Sequence, residues 1–174
     1  MKNSLTLLIS KVPSLKGWIT CLLLLFAATQ AKATFTIWAD TVSGTNGSQV
    51  DVSVKVREFT NIISLQNTFQ WNVAVATYNS TVAYNLPFLT ASNFGTAQIG
   101  SGRLTFSWND NNLTGITVPA GTTIFKIRFN LVGTGGSTTP VSIVNTPTPI
   151  EVVDLSFSPI PFIVNHGKID VTGG

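Results

Sequence analysis

Alternation of oily and polar side chains is the strongest signal in this chain, and it is sharpest between residues 103 and 132. Leu104, Phe106 and Trp108 alternate with Thr105 and Ser107; after a polar loop, Phe125, Ile127, Phe129 and Leu131 alternate with Lys126, Arg128 and Asn130. Successive side chains of a strand point to opposite faces, so each run predicts a strand with one buried side and one wet side. Val50, Val52, Val54 and Val56 alternate with Asp51, Ser53 and Lys55 in the same way. Strands with one oily face need a second sheet to cover it.

The rest of the chain from Thr34 onward lacks the 3.6-residue period of helices and is rich in Val, Ile, Thr and Phe between Gly, Asn, Pro and Ser, which again predicts strands. Further strands are expected over 35–40, 65–72, 82–84, 97–100, 141–145 and 168–171, with a turn at 44–47. In the strand over 65–72, Phe69 and Trp71 face inward and Thr68 and Gln70 outward. The segment bracketed by Pro147, Pro149, Pro159 and Pro161 is not expected to be a central strand, because proline cannot donate to the ladder. About nine strands at short intervals give an all-β, two-sheet β-sandwich in one domain.

Residues 1–33 read differently. Lys2, Lys11 and Lys16 precede a short apolar run at 19–28, and Ala31-Lys32-Ala33 forms an A-x-A site, the pattern of a cleaved secretory signal peptide. The run falls short of the roughly 20 residues that a spanning helix needs. The expected organisation is a signal peptide at 1–33 and a secreted, extracellular domain at 34–174. Cleavage would remove four lysines and no acid, leaving six basic residues against seven acidic ones and a net charge of −1. The basic precursor therefore carries no nucleic-acid footprint. Cys21, the single cysteine, leaves with the leader, so no disulfide framework is expected.

Catalytic chemistry finds little support. His166 is the single histidine, in an Asn-His-Gly turn, and none of the seven carboxylates is paired by its spacing. The chain is therefore expected not to be an enzyme. The oxygen-rich run Asn109-Asp110-Asn111-Asn112 could ligate calcium near Asp110, but one carboxylate is a poor charge count, and such residues also build turns. No cofactor is otherwise expected. Trp71 and Trp108 share faces with Phe69 and Phe106 and read as core. Trp38, Tyr78, Tyr84 and Phe88 are the aromatics that could stack on sugar rings.

Several stretches together resemble the cohesin family: 47–54 (GSQVDVSV), 65–75 (LQNTFQWNVAV), 104–110, 119–125 (PAGTTIF), 127–129 and 167–169 (GKI). The family places an aromatic-Asp-Pro-x-Val-Leu stretch after its third strand, where this chain has Trp71-Asn72-Val73-Ala74-Val75-Ala76, with Asn for Asp and Val for Pro. The resemblance implies a nine-stranded jelly-roll sandwich. It also implies a non-catalytic module that engages a dockerin-like or cell-surface protein in extracellular polysaccharide degradation or attachment. On this mapping the partner face presents Gln66, Thr68, Gln70, Asn72, Arg103, Thr105 and Ser107. The fold is also similar to that of cellulose-binding modules, so direct binding to polysaccharide is the alternative.

Overall fold

The structure, a computed structural model, describes residues 34–173. The signal-peptide expectation lies outside them. Twelve strands follow in chain order: β1 (Phe35–Ala39), β2 (Thr41–Thr45), β3 (Gln49–Arg57), β4 (Ile62–Gln70), β5 (Ala76–Val82), β6 (Phe94–Gly95), β7 (Arg103–Asn109), β8 (Thr122–Leu131), β9 (Thr138–Val144), β10 (Glu151–Asp154), β11 (Phe162–Asn165) and β12 (Gly167–Thr172). One sheet runs β11-β1-β3-β8-β5; the other runs β2-β12-β9-β4-β7-β6, with β10 also paired to β4. The two sheets pack face to face as the sandwich that the alternation implies.

Two of the three strands beyond nine arise because both ends of the domain change sheets; the third is β10. The segment 35–45 leaves the first sheet at Asp40, and 162–172 does the same at His166. The two segments run parallel, β1 beside β11 and β2 beside β12. They cross so closely that a Cβ on Gly167 would lie 2.4 Å from the Asp40 carbonyl oxygen and 2.9 Å from Ala39 atoms. Only glycine fits that crossing.

The inner faces interlock through aromatics. Phe69 of β4 meets Phe125 of β8 edge-on, with ring centroids 5.8 Å apart, and Phe94, Phe106 and Phe125 form a contiguous group. Trp71 packs edge-on against Phe129, and Trp108 lies tilted against Phe59. Both tryptophans are buried, as their shared faces predict, and each indole N–H donates to a carbonyl oxygen, of Ala76 and Pro87 respectively.

Several expected elements move. The strand at 82–84 is instead β5, which ends at Val82 and carries a bulge between Tyr78 and Ser80. The one at 97–100 is a 3-10 turn, Ile99–Ser101, preceded by the two-residue β6. The third strand ends at Gln70 rather than at 72, and the turn at 44–47 begins two residues late because Gly44 and Thr45 belong to β2. Between the prolines, β10 pairs with β4 along the stretch of edge that β9 leaves open.

Candidate functional site

Strands β4 and β7 lie side by side, and their register aligns the outward residues expected on the partner face. Gln66 stands opposite Ser107, Thr68 opposite Thr105, and Gln70 opposite Arg103. On the other side of β4, Glu151 flanks Gln66, Val144 flanks Thr68 and Ser142 flanks Gln70. The result is three transverse rows, Glu151-Gln66-Ser107, Val144-Thr68-Thr105 and Ser142-Gln70-Arg103. Directly opposed side chains sit about 5 Å apart, so each row is one continuous strip.

Two of the seven residues depart from expectation. Thr68 is fully buried. Its hydroxyl donates to the Thr148 carbonyl at 3.0 Å and accepts from the Thr148 amide at 2.9 Å, so the proline-containing strap at 146–149 covers it. A contact between residues 80 apart leaves no local sequence signal. Asn72 is exposed, but it lies in the turn after β4, where its side-chain oxygen accepts from the Ala74 amide and its own amide donates to the Thr139 hydroxyl. It still lines the rim of a shallow hollow of about 320 Å³ with Gln70, Pro140, Ser142 and Val144. Pro140, Ser142 and Val144 are the face residues that the sequence reading missed; the alternation of 138–144 about Val141 and Ile143 was the available signal.

Arg103 lies at the end of its row with no carboxylate partner among the described residues, and its Nε has no hydrogen-bond partner. Gly102, just before it, has φ 71, and its carbonyl accepts from the Trp71 amide. A Cβ there would lie 2.1 Å from the Trp71 carbonyl oxygen, so a glycine pins the start of β7 to the end of β4.

The candidate calcium ligand is already occupied by protein. Asp110 is buried, and its carboxylate accepts from the amides of Asn112, Thr114 and Gly115 at 2.9–3.0 Å and from the Thr114 hydroxyl at 3.3 Å. Burial pushes this carboxyl up, but the hydrogen bonds together outweigh it and hold it below its ordinary value. A carboxylate whose lone pairs face four N–H and O–H donors is a loop clamp, not a cation ligand. Among the described residues no cluster of three or more His, Cys, Asp and Glu is placed to hold a metal. His166 is exposed, as expected of a turn, and its Nδ1 accepts from the Ile143 amide.

The four aromatics do not form one platform. Trp38 is on β1, three strands from Tyr78 on β5, a separation of about 14 Å. The Tyr84 hydroxyl is bonded to both the hydroxyl and the carbonyl of Thr81, and its ring packs on Phe94. Tyr78 leans into an apolar hollow with Val73 and Ile99. Phe88 is 44% exposed in a left-handed turn conformation.

The family model of the cohesin domain matches residues 35–149, and the chain belongs to the cohesin family. No curated protein matches it. The sixth cohesin of scaffoldin B from Acetivibrio cellulolyticus, solved in complex with a dockerin, is 23% identical at a TM-score of 0.68, over 80% of this chain and 99% of its own. A cohesin from Clostridium acetobutylicum is 18% identical at 0.66, over 81% and 92%. A non-cellulosomal cohesin from the archaeon Archaeoglobus fulgidus is 17% identical at 0.63, over 80% and 91%. At these identities the structural likenesses establish the fold.

Proposed function

We propose that this chain is a non-catalytic, extracellular binding module that grips a dockerin-like domain on the outer face of β4 and β7. The observation that carries this reading is the alignment of the Gln66-Ser107 and Gln70-Arg103 rows, extended by Ser142 and the hollow beside Gln70. Amides, hydroxyls and one arginine without a carboxylate partner suit a polar protein surface, for which hydrogen bonds and an Arg anchor supply specificity. Solved cohesins of the same fold, including that of Acetivibrio cellulolyticus, are bound to dockerins, which supports the choice of partner class. Residues 1–33 act as the export signal in this reading, and the exported protein begins at Thr34.

Surface plasmon resonance against a panel of purified dockerin domains tests it. At least one dockerin binds, and the double variant Gln70→Arg/Thr105→Arg weakens that binding by at least about tenfold, the cost of burying unpaired charge at an interface. Binding by none of the panel, or equal binding by the double variant, would sink the assignment. Mass spectrometry of the exported protein checks the start at Thr34.

A further inference from the structure

The opposite face of the sandwich carries a second set of binding groups that the dockerin reading does not use. Three tryptophans fall in the described residues, and two are core. The third, Trp38, lies half-buried on the outer face of the five-stranded sheet, and its indole N–H has no protein acceptor among the described residues. Register fixes its neighbours. Lys55 stands directly opposite Trp38 on β3, and Asn165 stands opposite on β11. One step along, Arg57 and Ile163 flank Thr36 from the two sides. Ile163 is 49% exposed, and Arg57 and Asn165 are exposed with no side-chain partner among the described residues. Lys55 is shared with Asp40 at 2.7 Å, about 30% of each side chain still reaching solvent.

The charge of this face is lopsided. Of the six basic residues from 34 onward, Lys55, Arg57, Lys126 and Arg128 all lie here, against the carboxylates of Asp40 and Asp51. An apolar ring flanked by amide and cationic donors matches a sugar ring bearing a carboxylate: the ring's C–H face stacks on the indole, and the acid meets the cations. A neutral glycan would leave Arg57, which has no carboxylate partner among the described residues, without a role. We propose that the patch around Trp38 binds acidic polysaccharide of the uronic-acid class, with Trp38 under a sugar ring and Arg57 and Lys55 holding its carboxylate. The protein would then hold a glycan on one sheet and a protein partner on the other.

Native affinity electrophoresis tests this, with polygalacturonate, neutral xylan or dextran sulfate cast in the gel. The protein is expected to be retarded by polygalacturonate and not by xylan. Trp38→Ala and Arg57→Ser should each weaken retention several-fold, to about tenfold for Trp38, while Thr105→Ala leaves it unchanged. Arg57→Ser removes an exposed side chain and serves alone if thermal melting shows that Trp38→Ala does not fold. Absence of retardation by polygalacturonate overturns the proposal. So does equal retention on dextran sulfate that both variants keep, because that is plain ion exchange. Dockerin affinity in Trp38→Ala and Arg57→Ser should match wild type, so failure here and failure of the partner reading are separate results.

Discussion

The two outer faces of this sandwich rest on the same kind of strand and carry opposite chemistry. The face of β9, β4 and β7 is built from Thr, Ser and Gln, with Arg103 and Glu151 at the ends of its rows. The face of β1, β3 and β8 carries an aromatic ring and four cations, two of them paired with Asp40 and Asp51. The net charge of −1 over residues 34–174 conceals this segregation. Inward positions of both sheets are constrained by the common core, whereas outward positions are free to specialise. The fold is therefore written in one half of the alternation and the binding chemistry in the other.

The largest effect should come from breaking the point that ties both faces together. Gly167→Ala would press a methyl into the Asp40 carbonyl and Ala39, where backbone must move, and is expected to cost about 3 kcal/mol, the upper range for overpacking. Binding on both faces falls together with the melting temperature. Gly100→Ala is the control: nothing lies within 4 Å of a Cβ there, and its melting curve should overlay that of wild type. Equal melting of the two variants would refute the close crossing.

Acid should act next, through one outer-face carboxylate and one buried loop carboxylate. Asp51 is lowered from 3.8 chiefly by its hydrogen bonds from Arg128, and Asp110 is lowered too, its four hydrogen bonds outweighing burial. A carboxyl depressed on folding contributes stability in full above its unfolded value, and loses it as pH falls from about 3.8 through the lower folded value. Melting temperature should therefore hold down to about pH 4 and drop steeply below it. Asp110→Asn, which loses the charge that three amides face, should melt lower at pH 7 and show a flatter acid limb. An unchanged acid limb would remove Asp110 as a contributor.

A gain is expected beneath the outer face of β4 and β7. Asn67 is fully buried on an inner position of β4, between Leu65 and Phe69 and opposite Phe106, and neither of its side-chain polar atoms has a hydrogen-bond partner. Asn67→Leu should stabilise the protein by about 1 kcal/mol, the low end of the penalty for an unsatisfied buried amide. Affinity on either face should not change. A fall in stability would mean that the amide is satisfied in solution.

Sequence patterning revealed the inner faces of β3, β7 and β8 because each alternates strictly and pairs along most of its length. It failed where strands lack apolar markers. β2 reads TVSGT and β5 reads ATYNSTV with a bulge, so neither shows a two-residue period. β10 is masked by the prolines around it, although as a short flank of β4 it needs no proline-free ladder. The rows on β4 and β7 were legible as outward positions. The burial of Thr68 was not, because it depends on a strap 80 residues away. Nor was the neighbourhood of Trp38 legible, since Ile163 and Asn165 reach it through a parallel pairing of the two ends of the domain.

The smallest effect should separate the two faces most cleanly. Asp51 accepts from Arg128 Nε at 2.7 Å and from Nη2 at 3.0 Å, both side chains partly exposed. Asp51→Asn keeps the size of the side chain, removes its charge and leaves one oxygen instead of two to accept from Arg128, with only a small loss of stability for a surface pair. The β3-β8 face gains one unit of positive charge, so retention on polygalacturonate should rise and do so more at low ionic strength, where screening is weakest. Nothing on β4 or β7 changes, and dockerin affinity should stay at the wild-type value. If retention rises on polygalacturonate in wild-type background but not with Trp38→Ala also present, the added charge acts through the tryptophan patch. If it rises equally in both, the cations of β8 attract the polymer without the aromatic ring, and the glycan site must be moved from Trp38 towards Lys126 and Arg128.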